Sequence, residues 1–125
     1  MNGVRIREGS TELIVPEEHS VKGPGKIRGS VFFNSQMAFN RDVNIMFLKA
    51  LGRRDISVAD AMSATGARAV RIANEVPDTC VTANDINAEA TEYIKANIEL
   101  NGLDNCTPSN RPLGSLLAER SFDYV

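Results

Sequence analysis

Between Ile56 and Gly102 short apolar runs alternate with longer stretches of helical spacing, and that alternation leaves few folds open. Ile56-Ser-Val-Ala is a compact strand candidate ending at Asp60, and Ala67 to about Val76 reads as a helix with Pro77 just beyond its end. Cys80-Val-Thr-Ala is a second strand candidate that closes at Asn84-Asp85. Asn87 can cap the next helix, with Glu89 and Glu92 near its positive end. In that helix Ala90, Ile94, Asn97 and Ile98 share a face, and Asn101-Gly102 supplies the stop. Strand, helix, strand, helix predicts an α/β fold: a parallel sheet built from right-handed crossovers. Beyond Gly102, Cys106-Thr-Pro-Ser fits a short or edge strand, because Pro108 cannot donate to a ladder. Leu113 to Leu117 fits a brief helical turn. Phe122-Asp-Tyr-Val125 opens a fourth strand, expected beside the first, in the middle of the sheet. An apolar sheet edge would then remain uncovered. The expectation is a fragment, or a split protein completed by a second chain or a C-terminal part.

Upstream the pattern differs, and two units are expected: residues 1–36 as a hairpin and loop extension, and residues 37–125 as the sheet domain. Val4-Arg-Ile-Arg and Glu12-Leu-Ile-Val-Pro16 predict a β-hairpin with Gly9 and Ser10 in its turn. Lys22-Gly-Pro-Gly-Lys26 can continue neither helix nor strand and leads to the apolar Val31-Phe-Phe. Val43, Met46, Phe47, Ala50 and Leu51 then fall on one face of a 3.6-residue repeat that Gly52 ends.

Hydrophobic residues at 42% and charged ones at 24% are ordinary for a globular chain. No apolar run approaches the roughly 20 residues of a membrane span, and no signal peptide is read at the N-terminus. Cys80 and Cys106 are expected to act as small core hydrophobes. No metal set can be assembled around His19, the one histidine. A net charge of −2 gives no global basic bias, so a nucleic-acid partner would have to meet a local patch. His19, Lys22, Lys26 and Arg28 around the Gly-Pro-Gly loop hint at one, and a solvated loop accounts for them equally well.

In such sheets ligands bind beyond the carboxyl ends of the strands, where strand order reverses. The first strand runs into Asp60-Ala-Met-Ser-Ala-Thr-Gly66, whose single glycine permits a tight turn or close ligand approach. Helix-start amides can then face a polar ligand. A dinucleotide needs several glycines there, and Met62 and Ala64 stand where the others would be. The loop suits a ligand without a phosphate, such as S-adenosylmethionine, better than a nicotinamide dinucleotide. Asp85, about twenty positions on, is placed to accept ribose hydroxyls, or only to cap the following helix. Asp60 either holds the loop shape or meets the methionine end of the ligand.

Taken together, Phe39-Asn-Arg-Asp42, Ser63-Ala-Thr-Gly-Ala-Arg-Ala-Val-Arg71, Ala83-Asn-Asp-Ile-Asn87 and Asn97-Ile-Glu-Leu-Asn101 resemble the archaeal and eukaryotic tRNA (guanine-N2)-dimethyltransferases. The likeness also takes in Glu8-Gly-Ser-Thr-Glu, Val15-Pro-Glu-Glu and Val31-Phe-Phe-Asn34, and runs roughly from Arg5 to Asn105. It implies a Rossmann-like class I methyltransferase fold, S-adenosylmethionine as cofactor, and a cytoplasmic enzyme. The implied reaction methylates the exocyclic N2 amine of a guanosine at the D-stem/anticodon-stem junction of tRNA. By motif position Arg41 would contact the cofactor, at its methionine carboxylate, as a guanidinium fork suits. Without the family, Arg41 reads as a solvated arginine beside Asp42. Arg68 would line the same pocket, and Asp85 would take the ribose. Arg71 is expected to be a surface or RNA-facing charge, and Asp123 a strand-edge residue. Two departures stand out. After the third strand the family has an acidic residue and then a small one, where this chain has Pro112 and Leu113. The family's catalytic Asp-Pro-aromatic-Gly loop follows the fourth strand, and Phe122-Asp-Tyr-Val125 stops before it. No catalytic residue is therefore assigned, and the chain alone is expected to hold cofactor without turnover. The alternatives are a non-catalytic module that binds cofactor or tRNA, and a nicotinamide oxidoreductase, which the single-glycine loop disfavours.

Overall fold

A computed structural model describes residues 3–17, 31–119 and 121–125. The Gly-Pro-Gly loop with His19, Lys22, Lys26 and Arg28 lies outside the described residues. The predicted hairpin forms: β1 (Gly3–Glu8) pairs antiparallel with β2 (Thr11–Pro16), from Gly3 opposite Pro16 to Glu8 opposite Thr11. Gly9 makes the turn at φ 60°. Asn34 then caps a short 3-10 turn at Ser35–Met37, which leads into α1 (Ala38–Leu51). Gly52, at φ 61°, ends that helix.

The alternation read from the sequence follows: β3 (Ile56–Asp60), α2 (Ala67–Glu75), β4 (Thr79–Asn84), α3 (Ala88–Leu100), β5 (Cys106–Ser109) and α4 (Leu113–Glu119). The sheet is parallel in the order β3-β4-β5, with Pro108 in the edge strand as its missing donor requires. On the other flank of β3, Tyr124 forms a parallel bridge with Val58, and Ala59 N–H donates to the Tyr124 carbonyl at 2.8 Å. Asp123 sits at the opposite end of β3 from Asp60, where its carboxylate accepts from Ser57 N–H at 2.9 Å. Strand order therefore reverses at β3, and the carboxyl end of β3 is the place where a ligand crevice is expected.

Most of the core lies where the helices meet the sheet: Ile45 and Leu48 from α1, Ile72 and Ala73 from α2, and Ile94 from α3 cover Ile56, Val58 and Val81. The hairpin is packed in as well, for Leu13 and Val15 of β2 share a cluster with Phe33, Ala67 and Val70. Helix α2 is thus apolar on two sides, one toward the sheet and one toward the hairpin.

One sequence reading gains a direction, and one expectation, for Cys80, is corrected. The stripe Val43, Met46, Phe47, Ala50 and Leu51 of α1 is exposed, with Met46 at 67%. The helix buries Arg41, Ile45 and Leu48 instead. Apolar residues lie on both sides of α1, and the inward side is chosen by the buried ion pair of Arg41 as well as by Ile45 and Leu48. Phe47 faces the Tyr124 ring, with centroids 6.2 Å apart. Cys80 is also exposed, because it faces away from the helices between the buried Thr79 and Val81 of β4; Cys106 is buried. Among the described residues no helix is long and apolar enough to cross a membrane.

Both cysteines are free, and burial, aided by Asp60 and Cys80, pushes the Cys106 thiol up to about 12. Thiolate is the reactive form. Titration with a chromogenic disulfide at neutral pH should therefore release one equivalent from native protein, assigned to Cys80 by mass spectrometry, and two in denaturant. Two fast equivalents from native protein would contradict this packing.

Candidate functional site

The loop after β3 is held by its own backbone and by β4. Ser63 N–H donates to the Asn84 carbonyl at 2.8 Å, and Gly66 N–H to the Ser63 carbonyl at 2.7 Å. Gly66 is at φ 82°, and a Cβ there would lie 3.2 Å from Ile94 Cγ1 and 3.3 Å from Ile94 Cα. Both the turn and the close approach of α3 require glycine. Ala64 also sits at positive φ, 52°, a strain of about 1–2 kcal/mol for a residue with a Cβ. Its N–H donates to Asp85 Oδ2 at 2.9 Å, which helps hold it there.

Asp85 therefore works first as a loop fastener: Oδ2 takes Ala64 N–H and Oδ1 takes Asn87 N–H at 2.9 Å. The cap of α3 is Asn87, whose side chain accepts from Glu89 N–H. Each carboxylate oxygen of Asp85 keeps a second lone pair for a ligand hydroxyl. Asn84, 1% exposed, carries a role that sequence reasoning missed. Its amide donates to the carbonyls of Ala61 (3.1 Å) and Arg111 (2.8 Å) and accepts from Arg111 N–H (3.0 Å), joining the loops after β3 and β5. The signal was an asparagine at the end of a strand, beside the aspartate. The side chain after β5 that lies against Asp85 and Ile86 is Asn110, which donates to both their carbonyls at 2.8 and 3.0 Å. Pro112 instead starts α4, its carbonyl accepting from Leu116 N–H.

Beside the loop lies a cleft of about 190 Å³ whose walls include Phe33, Asn34, Arg41, Asp60, Ser63 and Arg68. Four of the five expected site residues (Arg41, Asp60, Gly66 and Arg68) thus cluster in or beside this cleft, with Asp85 fixing the loop from behind. A more apolar cleft of about 440 Å³ adjoins it and shares Asp60, Met62 and Arg68 with it.

The two arginines of the cleft differ in their charge partners. Arg41 is buried; its Nε and Nη2 clasp Glu8 at 2.6 and 2.9 Å, and its guanidinium lies 4.8 Å from the Phe33 ring centroid. It is not the solvated arginine that its place beside Asp42 had allowed. Arg68 is held by neutral groups, donating to Asn44 and, at 2.9 Å, to Asn40. Among the described residues Arg68 makes no ion pair. Asp60 is largely desolvated, which raises its carboxyl above the usual range, although the Ser63 hydroxyl at 2.9 Å and the Arg68 charge pull it back in part.

Arg71 is a correction. Expected at the surface or facing RNA, it is 2% exposed and bonds Glu8 (3.1 Å), Asp42 (2.6 Å) and Glu75 (2.8 Å). An arginine fork reaching several carboxylates at once can be buried where a lone charge cannot. Burial raises the Glu75 carboxyl, but hydrogen bonds from Arg71 and Thr11 outweigh it and hold the group below the usual range.

Chemically, the cleft offers a cation not already paired among the described residues, a half-buried carboxylate, and a tight loop with a second carboxylate behind it. That set suits a ligand with a zwitterionic amino-acid end and a hydroxylated end. A family model described as N2,N2-dimethylguanosine tRNA methyltransferase matches residues 9–125. The chain belongs to that family. A tRNA (guanine(26)-N(2))-dimethyltransferase of Thermoplasma acidophilum is 37% identical over 120 residues, covering 96% of this chain and 33% of that enzyme. The same-named enzyme of Methanoculleus marisnigri is 38% identical over 127 residues, covering 100% and 33%. The chain thus spans about a third of the length of the curated relatives it matches. Trm1 from Pyrococcus horikoshii, solved with S-adenosyl-L-methionine, superposes with TM-score 0.65 at 37% identity, covering 78% of this chain and 24% of that one. A SAM-dependent methyltransferase from Agrobacterium tumefaciens reaches TM-score 0.73 at 14% identity over 95% and 35% of the chains, which speaks to fold. The fold of this family member is the Rossmann-like one of S-adenosylmethionine-dependent methyltransferases, preceded by a β-hairpin.

Two outcomes are expected. Glu8→Ala removes the one carboxylate that Arg41 bonds among the described residues and one of the three that Arg71 bonds, and should lower the unfolding free energy by about 3–5 kcal/mol in denaturant melts. Asp60, with its folded value raised, binds its proton more readily in the folded chain than in the unfolded one. Its ionisation therefore withdraws stability as pH rises through the folded value. Asp60→Asn should raise the melting temperature at neutral pH, with the gain vanishing in acid below the unfolded carboxyl range; a drop at neutral pH would show Asp60 to be stabilising instead.

Proposed function

We propose that this chain is the cofactor-holding part of an S-adenosylmethionine-dependent methyltransferase that acts on the exocyclic N2 amine of a guanosine in tRNA. The observation that carries this reading is the cleft at the carboxyl end of β3, where Asp60 and the unpaired Arg68 stand beside a one-glycine loop fastened by Asp85. In this reading Arg68 takes the methionine carboxylate and Asp60 the ammonium group, which also offsets the burial of its own charge. Arg41, neutralised by Glu8, is part of the cleft wall. Asp85 accepts the ribose hydroxyls with its free lone pairs, and Asn110 borders the adenine end. The single glycine matches a ligand with no pyrophosphate to seat. A helix terminus ringed by glycines would serve a dinucleotide.

The bound cofactor supplies an electrophilic methyl group. This chain's residues fix its orientation, so that the amine nitrogen gains the methyl, the carbon–sulfur bond breaks, and the amine loses a proton. Groups that orient the amine belong to a further segment or second chain. The exposed stripe of α1 supports such a completion. tRNA is the proposed partner, and the cytoplasm the proposed place of action. Because the chain spans a third of its relatives, it binds cofactor but gives no turnover by itself in this reading.

Calorimetry tests this. S-adenosylhomocysteine should bind while the oxidised nicotinamide dinucleotide gives no heat. Asp85→Ala removes hydrogen bonds to a charged acceptor, roughly 1.5–3 kcal/mol, so affinity should fall about ten- to hundredfold. Dinucleotide binding with no response to S-adenosylhomocysteine would sink the reading.

A further inference from the structure

Asn97 lies on the apolar face of α3 and is fully buried, 0% exposed. Among the described residues its side chain bonds backbone groups, in two different parts of the molecule. Its Oδ1 accepts from Ile14 N–H at 2.5 Å, and its amide donates to the Ile14 carbonyl at 3.0 Å. The same amide donates to the Thr65 carbonyl at 2.8 Å, inside the loop that shapes the cleft. One turn further along α3, Asn101 repeats the first half of this pattern. It accepts from Glu12 N–H at 3.3 Å and donates to the Glu12 carbonyl at 2.8 Å. Two asparagines thus stand in for a third strand along the outer edge of β2, reading alternate residues. Only Asn97 also reaches the ligand loop.

That loop needs a tie on this side. Ala64 and Gly66, the neighbours of Thr65, both sit at positive φ, 52° and 82°. The other fasteners, Asn84 and Asp85, pull from the end of β4. The hairpin is also tied to the far wall of the cleft, where Glu8 at the end of β1 clasps Arg41.

We infer that Asn97 is a positioning residue for the cofactor loop, and that through it the seating of the N-terminal hairpin is coupled to ligand binding. The hairpin is then a structural part of the cofactor site. The inference rests on the proposed function above, in that the ligand is taken to be S-adenosylmethionine or its product. Coupling of this kind is reciprocal: if the seated hairpin favours the bound loop, the bound ligand must favour the seated hairpin.

The test uses the full chain and S-adenosylhomocysteine. Asn97→Ala and Asn101→Ala both loosen β2 and both should lower the melting temperature. Asn97→Ala should also raise the Kd about tenfold, whereas Asn101→Ala should leave it within about twofold. Hydrogen exchange on the wild-type chain supplies a second readout that needs no variant. Bound S-adenosylhomocysteine should slow exchange of the Ile14 amide, which bonds Asn97, more than that of the Glu12 amide, which bonds Asn101. Equal effects of the two substitutions on Kd, no effect of Asn97→Ala, or equal protection of the two amides would overturn the coupling. Failure of the wild-type chain to bind S-adenosylhomocysteine would instead remove the proposed function, a distinct result.

Discussion

Glu8 closes β1 with its carboxylate turned inward, where Arg41 of α1 and Arg71 of α2 both bond it. Burying charges costs several kcal/mol per ion unless nearly every lone pair and proton finds a partner. Here the partners come from the hairpin and from two helices, so the cost is met only when all three are seated together. The tip of the hairpin is fitted to the same cluster: a Cβ on Gly9 would lie 2.5 Å from Arg71 Nη2. Thr11 adds a hydroxyl to Glu75 on the other side of the turn. Such an arrangement permits little sliding, because a displaced hairpin would take from Arg41 its carboxylate partner and from Arg71 one of three. It also sets the rotation of α1. With Arg41 inward, Ile45 and Leu48 follow toward the sheet, and Val43, Met46 and Phe47 turn outward.

The same cluster divides the work between the arginines of the cleft. Glu8, Asp42 and Glu75 already occupy the guanidinium groups of Arg41 and Arg71. A ligand carboxylate about 4 Å from Glu8 would meet roughly 4 kcal/mol of repulsion at an effective dielectric of 20. Arg68 has no such neighbour in direct contact, since its partners are the neutral side chains of Asn40 and Asn44. Its charge is held in place without being spent. Charge balance therefore favours Arg68 for an anionic ligand group and makes Arg41 the link between cleft and hairpin.

The order of elements from Ile56 to Gly102 was legible because its signals are local. Strand runs end at turn residues, Gly66 and Gly102 sit where positive φ is needed, and Asn87 caps the helix it precedes. The turn at Gly9 was legible for the same reason. What the sequence hid depends on distant partners. Arg71, one turn beyond Arg68, looks like a surface charge until Glu8, far away in the chain, is brought against it. The stripe on α1 was a sound helical signal, but its direction was fixed by an ion pair that periodicity does not report. Cys80 faces away from the helices, which its residue type alone did not show. Asn97 was the readable exception. It shared a face with Ala90, Ile94 and Ile98, and a polar residue in a buried stripe must find partners.

The prevalence of asparagine around the cleft follows from what has to be bonded there. The sharp turns of the loops after β3, β4 and β5 leave both carbonyls and N–H groups without regular partners. A carboxylate could serve the N–H groups alone, as Asp85 does for Ala64 and Asn87. Lysine or arginine could serve the carbonyls alone, and each would add positive charge beside a site proposed to hold a sulfonium cation. A side-chain amide donates and accepts at once and carries no net charge. Asn84 and Asn97 use both functions, and Asn110 donates to two carbonyls in succession. Neutral fasteners hold the loops rigid without adding to the charges of Arg41, Asp60 and Arg68 in the cleft.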